Sequence, residues 1–161
     1  FIKSIQNPKW LSNIVPVKKK NGQIKCCVDF RNLNQACPKD EFPLPNVDLL
    51  INFAIGHAMF SFMDGFSGFN QIRMTPKYVE KTAFRTAIEN FYYTMMPFVL
   101  KNAGTAYQCT MTAIFHDMIY HEIEDYINDI MVISRKHEDH VKVLKKVFEQ
   151  CSIFKLRMNR C

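Results

Sequence analysis

The amino-acid sequence predicts an α+β fold, and three observations carry that expectation. Two stretches, 13–30 and 82–98, read as hairpins rich in β-branched and aromatic residues. Helical patterns at 46–55, 102–121 and 136–154 are interspersed with them, without the regular strand–helix alternation of a parallel sheet. Finally, 48% of the 161 residues are hydrophobic and no tract is of low complexity. That suffices for a sizeable core, in one domain or in two small lobes sharing it.

The elements follow in order. "NIVPVKKKNGQIKCCVDF" reads as a hairpin turning at Asn21-Gly22, residues that tolerate positive φ. "RNLNQACPKDEFPLP" reads as an extended loop punctuated by proline. In "NVDLLINFAI", Asn46 is placed to cap a helix with apolar residues at Val47, Leu50, Ile51 and Ala54, and Gly56 stops it. "AMFSFMDG" predicts a short buried strand ending at Asp64, and "SGFNQI" a helical turn. "TAFRTAIENFYYTMMPF" predicts the second hairpin. "NAGTAYQCTMTAIFHDMIYH" fits a long helix with Tyr107, Met111, Ile114, Phe115 and Met118 on one face. "IEDYINDIMVIS" predicts two strands around Asn128-Asp129. "KHEDHVKVLKKVFEQCSIF" predicts an amphipathic helix with Val141, Leu144, Phe148 and Cys151 inward.

The formal charge of +6 suits a polyanionic partner. Six cysteines show no Cys-x-x-Cys pair and no regular spacing, which argues against a disulfide framework or zinc site and for a reduced compartment. No signal-peptide pattern is present, and no apolar run is long enough to span a membrane. The chain begins at Phe1 and stops at "KLRMNRC"; both ends read as cuts in a longer polypeptide.

Three groups of residues could carry chemistry. Asp64 and Asp129 each sit at a strand end among apolar neighbours, where a carboxylate is costly unless a cation pairs with it. Brought together in one sheet, they could hold Mg²⁺. Lys18, Lys19, Lys20, Lys25 and Arg31 could clamp phosphates from a projecting hairpin. Phe66 and Phe69 follow Asp64, and Phe69 could touch a bound substrate. Each group also has a plain structural reading: a hairpin turn and a loop residue for the acids, a solvated basic hairpin for the cations, core packing for the rings.

Taken together, "CVDFRNLNQACPKDEFPLP", "FSFMDGFSGFNQIRM", "KTAFRT", "FYYTMMPFVLKNAGTAYQ" and "YINDIMVIS" closely resemble one family. The chain looks like the reverse transcriptase domain of a gypsy-type long-terminal-repeat retrotransposon, of the kind common in plants. The match runs from about Trp10 to about Asn159. The resemblance implies the palm of a right-hand polymerase, an antiparallel sheet packed on helices, with a partial fingers subdomain intermixed over 1–161. It places the thumb, RNase H, protease and integrase regions outside this chain. It implies two-metal nucleotidyl transfer from a dNTP to a primer 3′-OH, templated by RNA or DNA, with Mg²⁺ as cofactor and Mn²⁺ as its substitute. It also implies a setting in cytoplasmic virus-like particles, with no membrane partner.

Residue by residue, Asp64 matches the first catalytic, metal-binding aspartate. Asn128 and Asp129 match the Asp-Asp of the Tyr-x-Asp-Asp box. Lys19 and Lys25 match fingers positions that hold the triphosphate, the second more often Arg. Phe69 matches the ring that packs under the sugar and excludes a 2′-OH. Phe98 to Gly104, with Lys101 among them, match the "PFGLKNA" loop that supports the template–dNTP pair.

Several positions depart from the family pattern. Asn128 replaces a carboxylate by one neutral carbonyl oxygen and an amide that repels cations. Val99 stands for a glycine, where a β-branched residue resists positive φ or close approach. Ala87 and Glu89 replace the Pro and Gly of a turn, and "LRMNRC" is shortened against "MNPxKC". Asp to Asn and Gly to Glu each need one G-to-A change, as in silenced elements whose methylated cytosines deaminate; Val for Gly does not fit that mechanism. The expectation is a decaying, catalytically inactive copy. The competing readings are a non-catalytic nucleic-acid-binding remnant and a structural domain with no nucleic-acid role.

Overall fold

Residues 1–43, 46–126 and 129–159 are described by a computed structural model. In chain order they form β1 (Ile2–Ser4), β2 (Ile14–Lys18), β3 (Ile24–Val28), α1 (Arg31–Ala36), α2 (Val47–Ala54), β4 (Met59–Asp64) and a 3-10 turn at Gly68–Gln71. Then come α3 (Pro76–Val79), a second 3-10 turn at Glu80–Thr82, β5 (Phe84–Arg85), β6 (Asn90–Tyr93), α4 (Ala103–Ile114), β7 (Ile123–Tyr126), β8 (Asp129–Ser134) and α5 (His137–Ile153). Antiparallel strand pairs and helices are mixed, as the α+β expectation requires. No helix among the described residues is long and apolar enough to cross a membrane. The chain alternates between two units: Phe1–Lys39 with Ile72–Ala103, and Asp40–Gln71 with Gly104–Cys161.

In the first unit, β2 and β3 pair from Ile14↔Val28 to Lys18↔Ile24. The turn is wider than Asn21-Gly22 alone. The Lys19 N–H donates to the Gln23 carbonyl and the Gly22 N–H to the Lys19 carbonyl, so Lys20, Asn21 and Gly22 form the loop. Only Gly22 takes positive φ, +82°. That is the three-residue hairpin, with its left-handed residue last. A second sheet, ordered β1-β6-β5, packs Phe84 with Val28 and Phe30 in a small core. The turn that lacks Pro and Gly is closed by a side chain instead: the Thr86 hydroxyl donates to the Glu89 carbonyl and accepts the N–H groups of Ile88 and Glu89. Val99 likewise fits without conflict. It is absent from the non-glycine residues with positive φ, and its side chain packs on the Phe30 core. The backbone at position 99 therefore accepts a β-branched residue.

The loop expected at 31–45 contains α1. This helix buries no residue, so it carries no apolar periodicity to read. It is held from outside: the Asn34 amide donates to the Val99 carbonyl and accepts the Lys101 N–H. Asp29 receives Arg31 through its backbone N–H and guanidinium, which holds the carboxyl below its ordinary value.

The second unit is built on a sheet ordered β4-β8-β7. Tyr107, Met111 and Phe115 of α4 and the turn beyond it are buried, as are Ile130, Val132 and Ile133 of β8 and Val143, Val147 and Cys151 of α5. The Asn46 cap forms as expected, its side chain accepting the Asp48 N–H, and Gly56 takes φ +82° beyond α2. Three expectations need correction. The strand β4 is not buried but two-faced, with Phe60, Phe62 and Asp64 on its exposed side. An apolar run has no period to distinguish these cases. The helix α4 ends at Ile114, and turns carry Phe115 and Met118 into the core. The inner face of α5 is His140, Val143, Val147 and Cys151, while Val141 and Phe148 are exposed.

His140 explains that rotation. Its Nδ1 lies 2.9 Å from Ser134 Oγ and its Nε2 2.8 Å from Ser61 Oγ. Ser134 already donates its proton to the Lys136 carbonyl, so its oxygen accepts from Nδ1–H, and Nε2 shares the second hydrogen bond with the Ser61 hydroxyl. One imidazole thus ties β4, β8 and α5. His140→Ala leaves two hydroxyls short of partners and a hole beside them. It is expected to lower unfolding free energy by roughly 2–3 kcal/mol in a urea titration. A loss below about 1 kcal/mol would remove this clasp from the account of the fold.

Candidate active site

The alternation of β4 puts Asp64 on the open face of its sheet, at the strand's end. Asp129 opens β8, and the two are direct partners in the register, Asp64↔Asp129. Opposed antiparallel residues lie on one face with Cβ atoms roughly 5 Å apart. Both side chains are exposed. Two carboxylates so placed repel by about 1–3 kcal/mol, depending on solvent access. Tyr126 is the partner of Asp129 on the other flank. Asn128, the third residue of the constellation, lies outside the described residues.

The two aspartates line one cleft of about 710 Å³, with Leu50, Ile51 and Ala54 of α2 on one side and Phe62, Met131 and Tyr126 on the sheet. Glu124 and Asn159 also line it. No group of three His, Cys, Asp or Glu among the described residues is arranged to hold a metal ion. The donor set here is the aspartate pair.

The loop after Asp64 is fixed from both sides. Gly65 lies against the buried Tyr107 hydroxyl, 2.8 Å from where a Cβ would stand, so only glycine fits without displacing that ring. The hydroxyl has no hydrogen-bond partner among the described residues, and burial first, then Asp125 and Asp64, raises its pKa. Phe69 sits in the 3-10 turn, half-buried, its ring 5.3 Å from that of Tyr107. Phe66 stays exposed. The segment 156–159 runs alongside. Gln71 donates its amide to the carbonyls of Phe66 and Arg157 and accepts the Arg157 N–H. Asn159 donates both its side-chain amide and its backbone N–H to Asp64.

Two further acids lie on β7. Glu124 is buried and pushed up to about 7 by desolvation. Asp125 is also raised to about 7, by burial first and then by Glu124 and Asp129.

In the first unit, the expected substrate residues divide. Lys25 and Phe98 come together: the ammonium lies 4.7 Å from the ring centroid, a cation–π contact that orients it. Lys19 stands exposed at the hairpin turn beside Lys18 and Lys20. Lys101 donates its ammonium to the Cys37 carbonyl and so ties its loop to the end of α1. Arg31 is paired with Asp29 at 2.7 Å.

Sequence reasoning passed over Asn159, Gln71 and Glu124. Glu124 left a signal, an acid inside the apolar run "IEDYI". Gln71 and Asn159 stand inside the stretches "FSFMDGFSGFNQIRM" and "LRMNRC", but their contacts left no local signal, because these partners are 86 and 95 positions away.

The chain is similar to known proteins over nearly its whole length. Residues 17–160 match the family model described as reverse transcriptase (RNA-dependent DNA polymerase). The retrovirus-related Pol polyprotein from transposon opus of Drosophila melanogaster is 35% identical over 157 residues, covering 95% of this chain and 15% of that polyprotein. The genome polyprotein of Petunia vein clearing virus is 31% identical over 142 residues, covering 86% of this chain and 6% of its own length. Among solved structures, prototype foamy virus protease–reverse transcriptase gives a TM-score of 0.82 at 20% identity, covering 98% of this chain and 21% of that one. A foamy viral protease–reverse transcriptase in complex with double-stranded DNA gives 0.84 at 20% identity, covering 98% and 27%. At that identity the likeness is one of fold. The chain spans 15% or less of these polyprotein relatives.

Proposed function

We propose, for a chain that belongs to the reverse transcriptase (RNA-dependent DNA polymerase) family of retroelement Pol polyproteins, that it is the nucleotidyl-transfer domain of a plant gypsy-type element and that this copy has lost its activity. Its α+β fold is that of a right-hand polymerase palm with part of the fingers. The unit with Asp64 and Asp129 serves as palm, and the unit with the basic hairpin as fingers. The observation that carries the nucleotidyl-transfer part of this reading is the direct pairing of Asp64 with Asp129 on the open face of one sheet, and the loss of activity is argued from Asn128 in the sequence.

The pair fits Mg²⁺, which takes one or two carboxylates and completes its octahedron from phosphates and water. Asp64 and Asp129 would hold the ion, with Mn²⁺ as a substitute. When bound, it supplies an activated primer hydroxyl and screening for the phosphate charge. Lys25, oriented by Phe98, and Lys19 hold the dNTP triphosphate by charge and hydrogen bonding. Phe69 stays under the sugar because Tyr107 backs its ring, and it leaves no room for a 2′-OH. The 98–104 loop, fixed through Lys101 and Asn34, supports the pair of template and incoming base. The element would replicate in cytoplasmic virus-like particles.

The test is primer extension on an RNA template with Mg²⁺, using the chain grafted to the thumb of an active relative. With Asn128→Asp the graft is expected to extend the primer, and adding Asp64→Asn should abolish it. A repaired graft that binds primer–template but adds no nucleotide would defeat this reading. The second reading, a remnant that binds nucleic acid without chemistry, is favoured by the exposed Lys18–Lys20. It expects salt-dependent RNA–DNA binding by the unrepaired chain.

A further inference from the structure

We propose that Asn159 is the positioning residue for Asp64, setting the carboxylate that faces the cation. This rests on the reading that Asp64 and Asp129 hold a metal ion. Asn159 reaches Asp64 twice: its side-chain amide donates to Oδ2, and its backbone N–H donates to the Asp64 carbonyl at 2.8 Å. The contact is not isolated. Met158 pairs with Gly65, and the Phe66 N–H donates to the Arg157 carbonyl at 2.9 Å. The Gln71 amide closes the far end through Arg157. The segment is therefore laid along the catalytic loop like an added strand.

The chemistry of the pair explains why a donor is needed here. An aspartate has several staggered rotamers to choose from. Facing Asp129 across the ladder, Asp64 gains by turning its charge away. A hydrogen bond to Oδ2 opposes that turn, and among the described residues Oδ1 receives no hydrogen bond. The donor must also be neutral. A lysine or arginine in its place would hold the carboxylate equally well but would offset the charge that draws the metal. An amide supplies the geometry without the charge.

The experiment is a titration of Mn²⁺ binding, read as loss of the free-ion EPR signal, on the full chain carrying Asn128→Asp. The variants are Asn159→Ala, Asn159→Leu and, as reference, Asp64→Asn. Ala and Leu both keep the backbone bond to Asp64, and Leu also keeps most of the volume. The expected result is Mn²⁺ binding weakened about tenfold by either change, with metal-free thermal unfolding unmoved, and abolished by Asp64→Asn. Unchanged or tighter binding in the Asn159 variants would overturn the positioning role and leave the metal pair intact. Weakening seen only together with loss of folded structure would overturn it too, as a merely structural effect. If the parent chain itself binds no Mn²⁺, both this inference and the reading beneath it fail.

Discussion

Asn128→Asp is expected to raise primer extension by the thumb-grafted chain about a thousandfold, equivalent to about 4 kcal/mol of transition-state stabilisation. The reason lies in charge rather than shape. Aspartate and asparagine are nearly isosteric, so the substitution returns an anionic oxygen pair without disturbing the strands on either side. Asp64 and Asp129 remain as they are, already paired across the ladder. A site that must gather divalent cations beside a triphosphate depends on its summed negative charge. If the unrepaired and repaired grafts extend the primer at rates within about tenfold of one another, two carboxylates suffice and the charge argument fails. Val99→Gly is expected to add nothing to that rate. Val99 packs on the Phe30 core without positive φ, so its removal should instead cost roughly 1–2 kcal/mol of stability.

What could be read from the sequence was whatever is encoded locally. Asn46 and Gly56 bracket α2 because capping and positive φ are properties of single residues. The strands around position 129 and the strand ending at Asp64 announce themselves through β-branched and aromatic runs, and their meeting follows once one sheet is assumed. The helix α1 was invisible because nothing on it is buried; its order comes from Asn34 and the distant Val99 and Lys101. Cys151 of α5 is buried as expected, but the rest of its inner face lies one position away from the sequence expectation. Val141 and Phe148 look like core residues, yet His140 is the one buried, since its two ring nitrogens find Ser61 and Ser134. Hydrophobicity alone cannot anticipate a polar residue that is inside because its partners are there. The same holds for Asn159, whose role depends entirely on a residue at the other end of the unit.

Stability should fall as pH rises from about 4 to about 7, the reverse of ordinary acid denaturation, with Asp125 carrying the larger share of that slope and Glu124 the rest. Asp125 lies inside β7 at 1% exposure, and the Gln108 side chain beside it offsets only part of the cost of that burial. The groups that face it are Glu124 on its own strand, Asp129 on β8, and Tyr107 and Gln108 on α4. Burial and the two acids hold its pKa near 7 against an ordinary value of 3.8. The folded chain therefore keeps a proton that the unfolded chain has already released. Asp125's contribution is full below about 4, declines until about 7, and is flat above, a loss of about 4 kcal/mol from this group alone. Glu124, raised to about 7 by burial, adds to the same slope. Asp29 works in the opposite direction, but it is solvent-screened and contributes little. Urea titrations at pH 5 and pH 8 should find the chain more stable at pH 5. Asp125→Val should remove Asp125's share of the difference, leaving that of Glu124, and gain roughly 3 kcal/mol at pH 8, because valine suits a buried strand and leaves no charge to desolvate. If the variant is no more stable at pH 8, the acid is not the burden described. If it is, the buried carboxylate is a stability defect of the second unit at neutral pH, one that its sheet carries without a compensating cation among the described residues.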